Sequence, residues 1–207
     1  MPQYKLTYFD IRGLGEGARV LFNYAGVPFE DMRIKHEEWS SLKPKMPYEQ
    51  VPVLEVDGVQ IAQSSAIYRY LGRQFNLVPK CPVEEALVDA VFDAHKDFFV
   101  KILQYILIIE GYRSDGDKDK LLKEVVIPAR DLYFKFLTNH LSKTDGTHLI
   151  GKEVAWADLV IADQLFVFAN MIPGMFDNFP KVKSFVDHIH QLPKIKKYFD
   201  ERKPASF

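Results

Sequence analysis

Residues 50–71 read QVPVLEVDGVQIAQSSAIYRYL, and this run decides the fold of the first third of the chain. Val53–Val56 and Val59–Ala62 are short β-type runs. Asp57-Gly58 between them favours a type I′ turn, so the pair reads as a β-hairpin. Ser64-Ser65 then caps a helix whose buried face would be Ile67, Tyr70 and Leu71. Upstream, Lys5–Tyr8 and Phe29–Ile34 are two more strand-like runs, separated by Gly15–Ala25. In that segment Ala18, Leu21, Phe22 and Ala25 fall on helical spacing, and Gly26 and Pro28 supply stop signals. The order is β-α-β, an irregular stretch, then β-β-α, which predicts a small α/β domain with a mixed sheet.

Downstream, Val78-Pro79-Lys80-Cys81-Pro82 interrupts the helical pattern as a linker. Everything beyond it reads as helix. Val88, Val91, Phe92, His95, Phe98, Phe99, Ile102, Leu103, Ile106 and Ile109 trace one long amphipathic stripe. A turn over Tyr112–Lys118 leads to a second long helix over Lys120–Leu141, which Pro128 should kink or split. Trp156–Asn170 reads as a buried central helix, with shorter helices near Val182–His190 and Lys194–Glu201. The domains expected are 1–77, a linker at 78–83, and an all-helical domain over 84–207.

Composition excludes several classes of function. Lys plus Arg (27) nearly balance Asp plus Glu (28), without the basic excess of a duplex-binding protein. The most apolar windows are too short and interrupted to span a bilayer. MPQYKLTYFDIRG carries charges where a secretory leader needs an apolar core, so the expected location is cytoplasmic. The single cysteine, Cys81, allows neither an internal disulfide nor a Cys-x-x-Cys motif. There is no G-x-S-x-G elbow, P-loop or G-x-G-x-x-G run leading into a helix. His188 and His190 are spaced i, i+2, which does not face one metal, so no metal is expected. Patterning alone stops at a two-part protein, α/β then all-α, with an open binding site.

Three groups of residues carry the reading further. They are Tyr4-Lys5-Leu6-Thr7-Tyr8-Phe9 with Arg12-Gly13 and Glu16; Gln50 through Gly58; and Gln63-Ser64 with Ala66-Ile67-x-Arg69-Tyr70-Leu71. In this order they resemble the cytosolic glutathione transferases over about Tyr4 to Pro204. The class most resembled is sigma, which includes glutathione-dependent prostaglandin D synthases, and within it the sigma-like enzymes of nematodes. The resemblance implies a thioredoxin-like N-terminal domain that binds glutathione. It also implies an all-α C-terminal domain forming much of the pocket for a hydrophobic electrophile.

Carried over residue by residue, the resemblance makes Tyr8 the catalytic group that holds the glutathione thiol as a thiolate. A free thiol has a pKa near ~8.5, and lowering it by two units requires about 2.7 kcal/mol of preferential anion stabilisation. One hydrogen bond to a charged group supplies roughly 1.5–3 kcal/mol, so a single tyrosine hydroxyl suffices. Val51-Pro52 resembles a cis-proline turn whose Val51 backbone pairs with the cysteinyl part of glutathione. Gln63 and Ser64 stand where the γ-glutamyl carboxylate meets a helix N-terminus. Gln50 would contact the tripeptide backbone, and Trp39 and Lys43 the glycyl end. Asp97 matches a residue that crosses a twofold homodimer to the partner's γ-glutamyl amine. The electrophile pocket would draw on Phe9, Leu14, Phe99, Leu103, Val160 and Phe207.

The chain departs from the pattern at three places. Leu14 stands where sigma enzymes often carry an arginine beside the tyrosine, which leaves Arg12 or a backbone amide to support the thiolate. Ala155 replaces the usual N-cap Ser or Thr, so Asp158 must cap its helix alone. Gln104 replaces an aromatic of the prostaglandin D synthases, which favours general conjugation, with peroxide reduction or prostaglandin isomerisation at most side activities. The alternative function is a ligandin-like carrier of haem or other apolar anions. A thiol-transferase would need a cysteine near Tyr8, and none is there.

Overall fold

The computed structural model describes residues 2–203. The chain forms two compact units, residues 2–78 with 192–203, and Pro79–Gln191.

The first unit is built on a four-stranded sheet of order β2-β1-β3-β4. Its strands are β1 (Tyr4–Phe9), β2 (Glu30–Ile34), β3 (Val53–Val56) and β4 (Val59–Ala62). β1 runs parallel to β2 and antiparallel to β3, and β3–β4 is the hairpin. Asp57 and Gly58 both have positive φ (48° and 86°), the requirement of a type I′ turn. Helix α1 (Glu16–Ala25) ends where Gly26 turns left-handed at φ 67° and its N–H returns to Phe22 and Asn23. Leu6, Leu54, Val20, Leu21, Phe22, Ile67 and Leu71 have no exposed surface and form the core between the sheet and α1 and α3 (Ser64–Gln74). On α3 the buried tyrosine is Tyr68, not the expected Tyr70, because the face that meets α1 runs through Ser65, Tyr68 and Gly72. A short helix α2 (Trp39–Leu42) lies in the irregular stretch before β3.

The second unit holds α4 (Pro82–Ile109), α5 (Lys118–Leu121), α6 (Ile127–Leu141), α7 (Trp156–Ala169) and α8 (Pro180–His190). α4 starts with Pro82 in its first turn, where a missing N–H leaves nothing unsatisfied. Its stripe is as expected to Ile102; beyond it Tyr105 is buried, Leu103 is half-buried and Ile109 is exposed. Ahead of Pro128 the backbone widens into a π-helical turn over Leu122–Val126. A wider turn relieves the clash of the proline ring with the preceding turn, so the helix continues instead of breaking. Within α7 only Phe166 and Ala169 escape burial.

The last helix, α9 (Pro193–Glu201), belongs to the first unit, although the sequence assigns it to the helical domain. It packs on α1 through fully buried Ile195 and through a hydrogen bond from the Tyr198 hydroxyl to Glu16 Oε1 (2.7 Å).

Candidate functional site

Tyr8 lies near the end of β1, 7% exposed, and the turn that follows is shaped around its ring. A β-carbon on Gly15 would stand 2.4 Å from Tyr8 Cδ1, and one on Gly13 would stand 2.6 Å from the hydroxyl. The Leu14 N–H between these glycines donates to the Tyr8 hydroxyl at 3.0 Å. The Leu14 carbonyl in turn accepts a short hydrogen bond from the Tyr68 hydroxyl. Gly17 gives Tyr68 room, since a β-carbon there would come within 2.7 Å of its ring. The backbone of Leu14 is thus held on both sides, its N–H by Tyr8 and its C=O by Tyr68. An oxygen that accepts an N–H holds its proton less tightly and still has that proton to donate outward.

The sheet register gathers the other first-unit residues at this end. Thr7 pairs with Val53 and Val53 with Ala62, so Pro52 and Gln63 follow one step beyond, alongside the Tyr8 end of β1. The Val51–Pro52 bond is cis. Gln63 sits at φ 70°, ψ 114°, a conformation non-glycine residues adopt at a strain of roughly 1–3 kcal/mol. Its side-chain amide donates to Gln50 Oε1 at 3.0 Å. Strained backbone of this kind clusters at ligand sites. Ser64, half-buried, is the first residue of α3, whose leading N–H groups have no partner within the helix. Beyond the parallel strand β2, Phe9 stacks on His36 (4.8 Å) and meets Trp39 edge-on (5.4 Å). Lys43, one turn past Trp39, reaches Glu49 at 3.7 Å. The ends of β1 and β2, the start of β3 and the start of α3 therefore form one open edge with a hydroxyl donor, two amides and a helix N-terminus.

Comparison with known proteins places the chain in a family. Residues 4–73 match the model of the glutathione S-transferase N-terminal domain, and residues 96–202 that of the C-terminal domain. Glutathione S-transferase 1 of Ascaris suum is 52% identical over 202 residues, covering 98% of each chain. The chain belongs to the glutathione S-transferase family. Among solved structures, the glutathione S-transferase of Ascaris lumbricoides superposes with a TM-score of 0.95 at 51% identity, over the whole of both chains. A glutathione S-transferase of the hookworm Necator americanus, described as monomeric, gives 0.94 at 42% identity, covering 99% of this chain and all of its own.

In this transferase the turn after Tyr8 is anchored by a buried ion network that sequence reading did not find. Arg19, 1% exposed, donates to the carbonyls of Phe9 (3.3 Å) and Ile11 (2.7 Å) and pairs with Asp31 (3.1 Å) and Glu16 (3.2 Å). Glu16 also accepts from Tyr198 and from Arg202 (2.9 Å). Burial opposes its ionisation, but the Tyr198 hydrogen bond and the two guanidiniums outweigh that and hold the carboxyl below its usual range. The signal available was Glu16 and Arg19 at i, i+3 in a first turn that is otherwise apolar.

The remaining expected residues lie in the second unit or outside the described residues. Asp97 is exposed on α4. Phe99 is 9% exposed and stacks on Phe168 (5.9 Å), and Leu103 is half-buried one turn later. Val160 has no exposed surface, so it packs the interior of α7 and cannot touch a bound ligand. Phe207 lies outside the described residues. Half-buried Phe9 and Leu14 flank the Tyr8 turn in the first unit. Among the described residues no cluster of three or more His, Cys, Asp or Glu side chains could hold a metal ion. No described helix is long and apolar enough to cross a membrane.

Proposed function

We propose that this transferase conjugates the glutathione thiolate to hydrophobic electrophiles, as a detoxifying enzyme of the sigma or sigma-like nematode class. The carrying observation is the Leu14 N–H on the Tyr8 hydroxyl oxygen, which polarises the O–H proposed to donate to the glutathione sulfur. The backbone amide then does what an arginine at that position would do in other sigma enzymes, and the hydrogen bond stays charge-assisted. Glutathione would lie along the sheet edge. Val51 pairs with its cysteinyl backbone, Gln50 steadies the chain, Gln63 and Ser64 with the α3 N-terminus receive the γ-glutamyl carboxylate, and Trp39 and Lys43 meet the glycyl end. Phe9, Leu14, Phe99 and Leu103 are the apolar residues proposed to receive the electrophile. Asp97, exposed on α4, reaches a partner subunit's glutathione in a cytoplasmic homodimer; sedimentation tests this, and a fully active monomer would exclude the role.

Gln104 is exposed, and neighbouring Tyr105 is buried with its hydroxyl on the Met171 carbonyl (3.3 Å). Neither offers the aromatic wall of a prostaglandin site, which supports general conjugation as the main activity. The test is conjugation of glutathione to a chloronitrobenzene by wild type and Tyr8→Phe across pH. The expected result is a loss of about tenfold or more, or ~1.4 kcal/mol, with the variant's rate profile moved to higher pH. Glutathione binding and tight apolar-ligand binding without turnover in wild type would replace this reading by a haem or bilin carrier.

A further inference from the structure

On the first unit, α9 and the β1–α1 turn border an open cleft of about 630 Å³. None of the residues assigned to glutathione or to the electrophile lines it. Its charge is strongly sorted. The chain as a whole carries a net charge of -1, yet this cleft gathers Arg12, Arg33, Lys194, Lys197, Arg202 and Lys203 against Asp10, Glu16 and Glu201. Two of those acids are already neutralised within the wall. Asp10 is held by Arg33 at 2.8 Å, and Glu16 by Arg202 and Arg19.

Lys194 and Lys197 occupy successive turns of one face of α9, and Lys203 follows the helix. No carboxylate of the described residues lies within ion-pair distance of any of these three ammonium groups. Lys196, which does not line the cleft, is by contrast paired with Asp200 at 2.7 Å. Lys194 and Lys197 are exposed and have no ion pair among the described residues, Lys194 lying over the Tyr24 ring at 5.2 Å, while Lys203 adds to the positive field on Asp10. Arg12 donates to the Lys203 carbonyl at 3.2 Å, which fixes the far wall, and the Asn23 and Tyr198 side chains add neutral polar groups. A concave surface of one sign raises the local concentration of the opposite ion more than a flat one does. Ammonium groups one turn apart, with a third following the helix, suit an anion bearing several phosphate groups, which lysines bind as point charges.

We infer that this cleft is a binding site for a small polyphosphorylated anion, separate from the glutathione site. The same chemistry could come from a soluble polyphosphate or from a phosphorylated lipid headgroup.

Calorimetric titration of the full chain with inorganic tripolyphosphate, with and without saturating glutathione, decides the matter. One site per chain is expected, weakened at about 0.15 M ionic strength relative to low salt and unchanged by glutathione. Lys194→Gln with Lys197→Gln should weaken binding at least tenfold. Lys183→Gln with Lys196→Gln, which removes the same charge elsewhere, should leave it within about twofold. Absence of binding to both tripolyphosphate and phosphoinositide vesicles, equal loss in both double variants, or displacement by glutathione would each overturn the site. Binding to vesicles carrying a bisphosphorylated inositol lipid, with none to free tripolyphosphate, would overturn the soluble ligand and assign the cleft to a membrane surface.

Discussion

At the scale of single residues, Tyr8 is defined by what cannot move around it. Its ring faces two glycines on the next turn, and its oxygen meets the amide between them. Gly15 has an ordinary φ of -82°, so alanine there meets no backbone strain, only the ring. Its β-carbon would press on Tyr8 Cγ and Cδ1, at 2.6 and 2.4 Å, on the rigid part of a strand side chain. Gly15→Ala should therefore displace the hydroxyl and lower kcat/KM for conjugation by about tenfold or more, ~1.4 kcal/mol. A rate equal to wild type would show that the turn does not set the ring. Glu16 is a second such residue. Glu16→Ala leaves Arg19 and Arg202 buried without their shared carboxylate, and thermal or denaturant unfolding should register a loss of about 3–5 kcal/mol.

At the scale of elements, helix starts carry the clearest tests. α7 begins at Ala155, which has no side chain to cap it, and Asp158 supplies both missing acceptors. Its carboxylate takes the Ala155 N–H on Oδ2 and the Leu149 N–H on Oδ1, each at 2.8 Å. Asp158→Ala leaves two buried N–H groups unsatisfied and should destabilise the protein by about 2–4 kcal/mol in denaturant unfolding; a loss under ~0.5 kcal/mol would contradict the cap. This cap was legible, because aspartate three residues past a helix start has one strong use. Strand and hairpin positions were legible for the same kind of reason, since Asp-Gly and alternating β-branched residues leave few alternatives. The π turn before Pro128 was half legible: proline announces a disturbance, but tertiary packing decides whether the helix breaks or widens. Tyr68 in place of Tyr70 and α9 on the first unit were not legible. Both depend on which neighbour a helix meets, and periodicity does not carry that information.

At the scale of the whole molecule, two buried groups give the stability curve opposite slopes. His95 lies wholly inside the helical unit, between the Tyr133 hydroxyl (3.0 Å) and Gln164 Oε1 (2.6 Å). Burial lowers its pKa from 6.5 to about 4, although the Gln164 hydrogen bond pulls the other way. Between these values the unfolded chain binds the extra proton, so His95 makes stability fall as pH drops from 6.5 to about 4. Asp158 is lifted by burial from 3.8 to about 7, against its two backbone donors. There the folded chain binds the extra proton, so Asp158 makes stability rise as pH drops through the same window. Each slope is at most ~1.4 kcal/mol per pH unit, and in wild type they offset. Relative to wild type, His95→Gln should therefore gain stability on going from pH 6.5 to 4, and Asp158→Asn should lose it. Parallel curves for all three proteins in denaturant unfolding would show that neither group titrates as its burial requires. At this scale the sequence revealed the two-part plan, since motifs are local, and its motif residues of the first unit gather along one sheet edge. The full Arg19–Glu16–Arg202 network stayed hidden, because Arg202 joins the Glu16–Arg19 pair of α1 only through the packing of α9 on α1.

The central claim is that the Tyr8 hydroxyl, primed by the Leu14 amide, stabilises the thiolate of bound glutathione. Its most direct test is the ultraviolet thiolate absorbance of bound glutathione, titrated with pH in wild type and Tyr8→Phe. A bound thiol titrating about two units below the free value of ~8.5 in wild type, and returning most of the way in Tyr8→Phe, is the predicted result. The same depressed pKa in both proteins, with glutathione bound equally well, would contradict it.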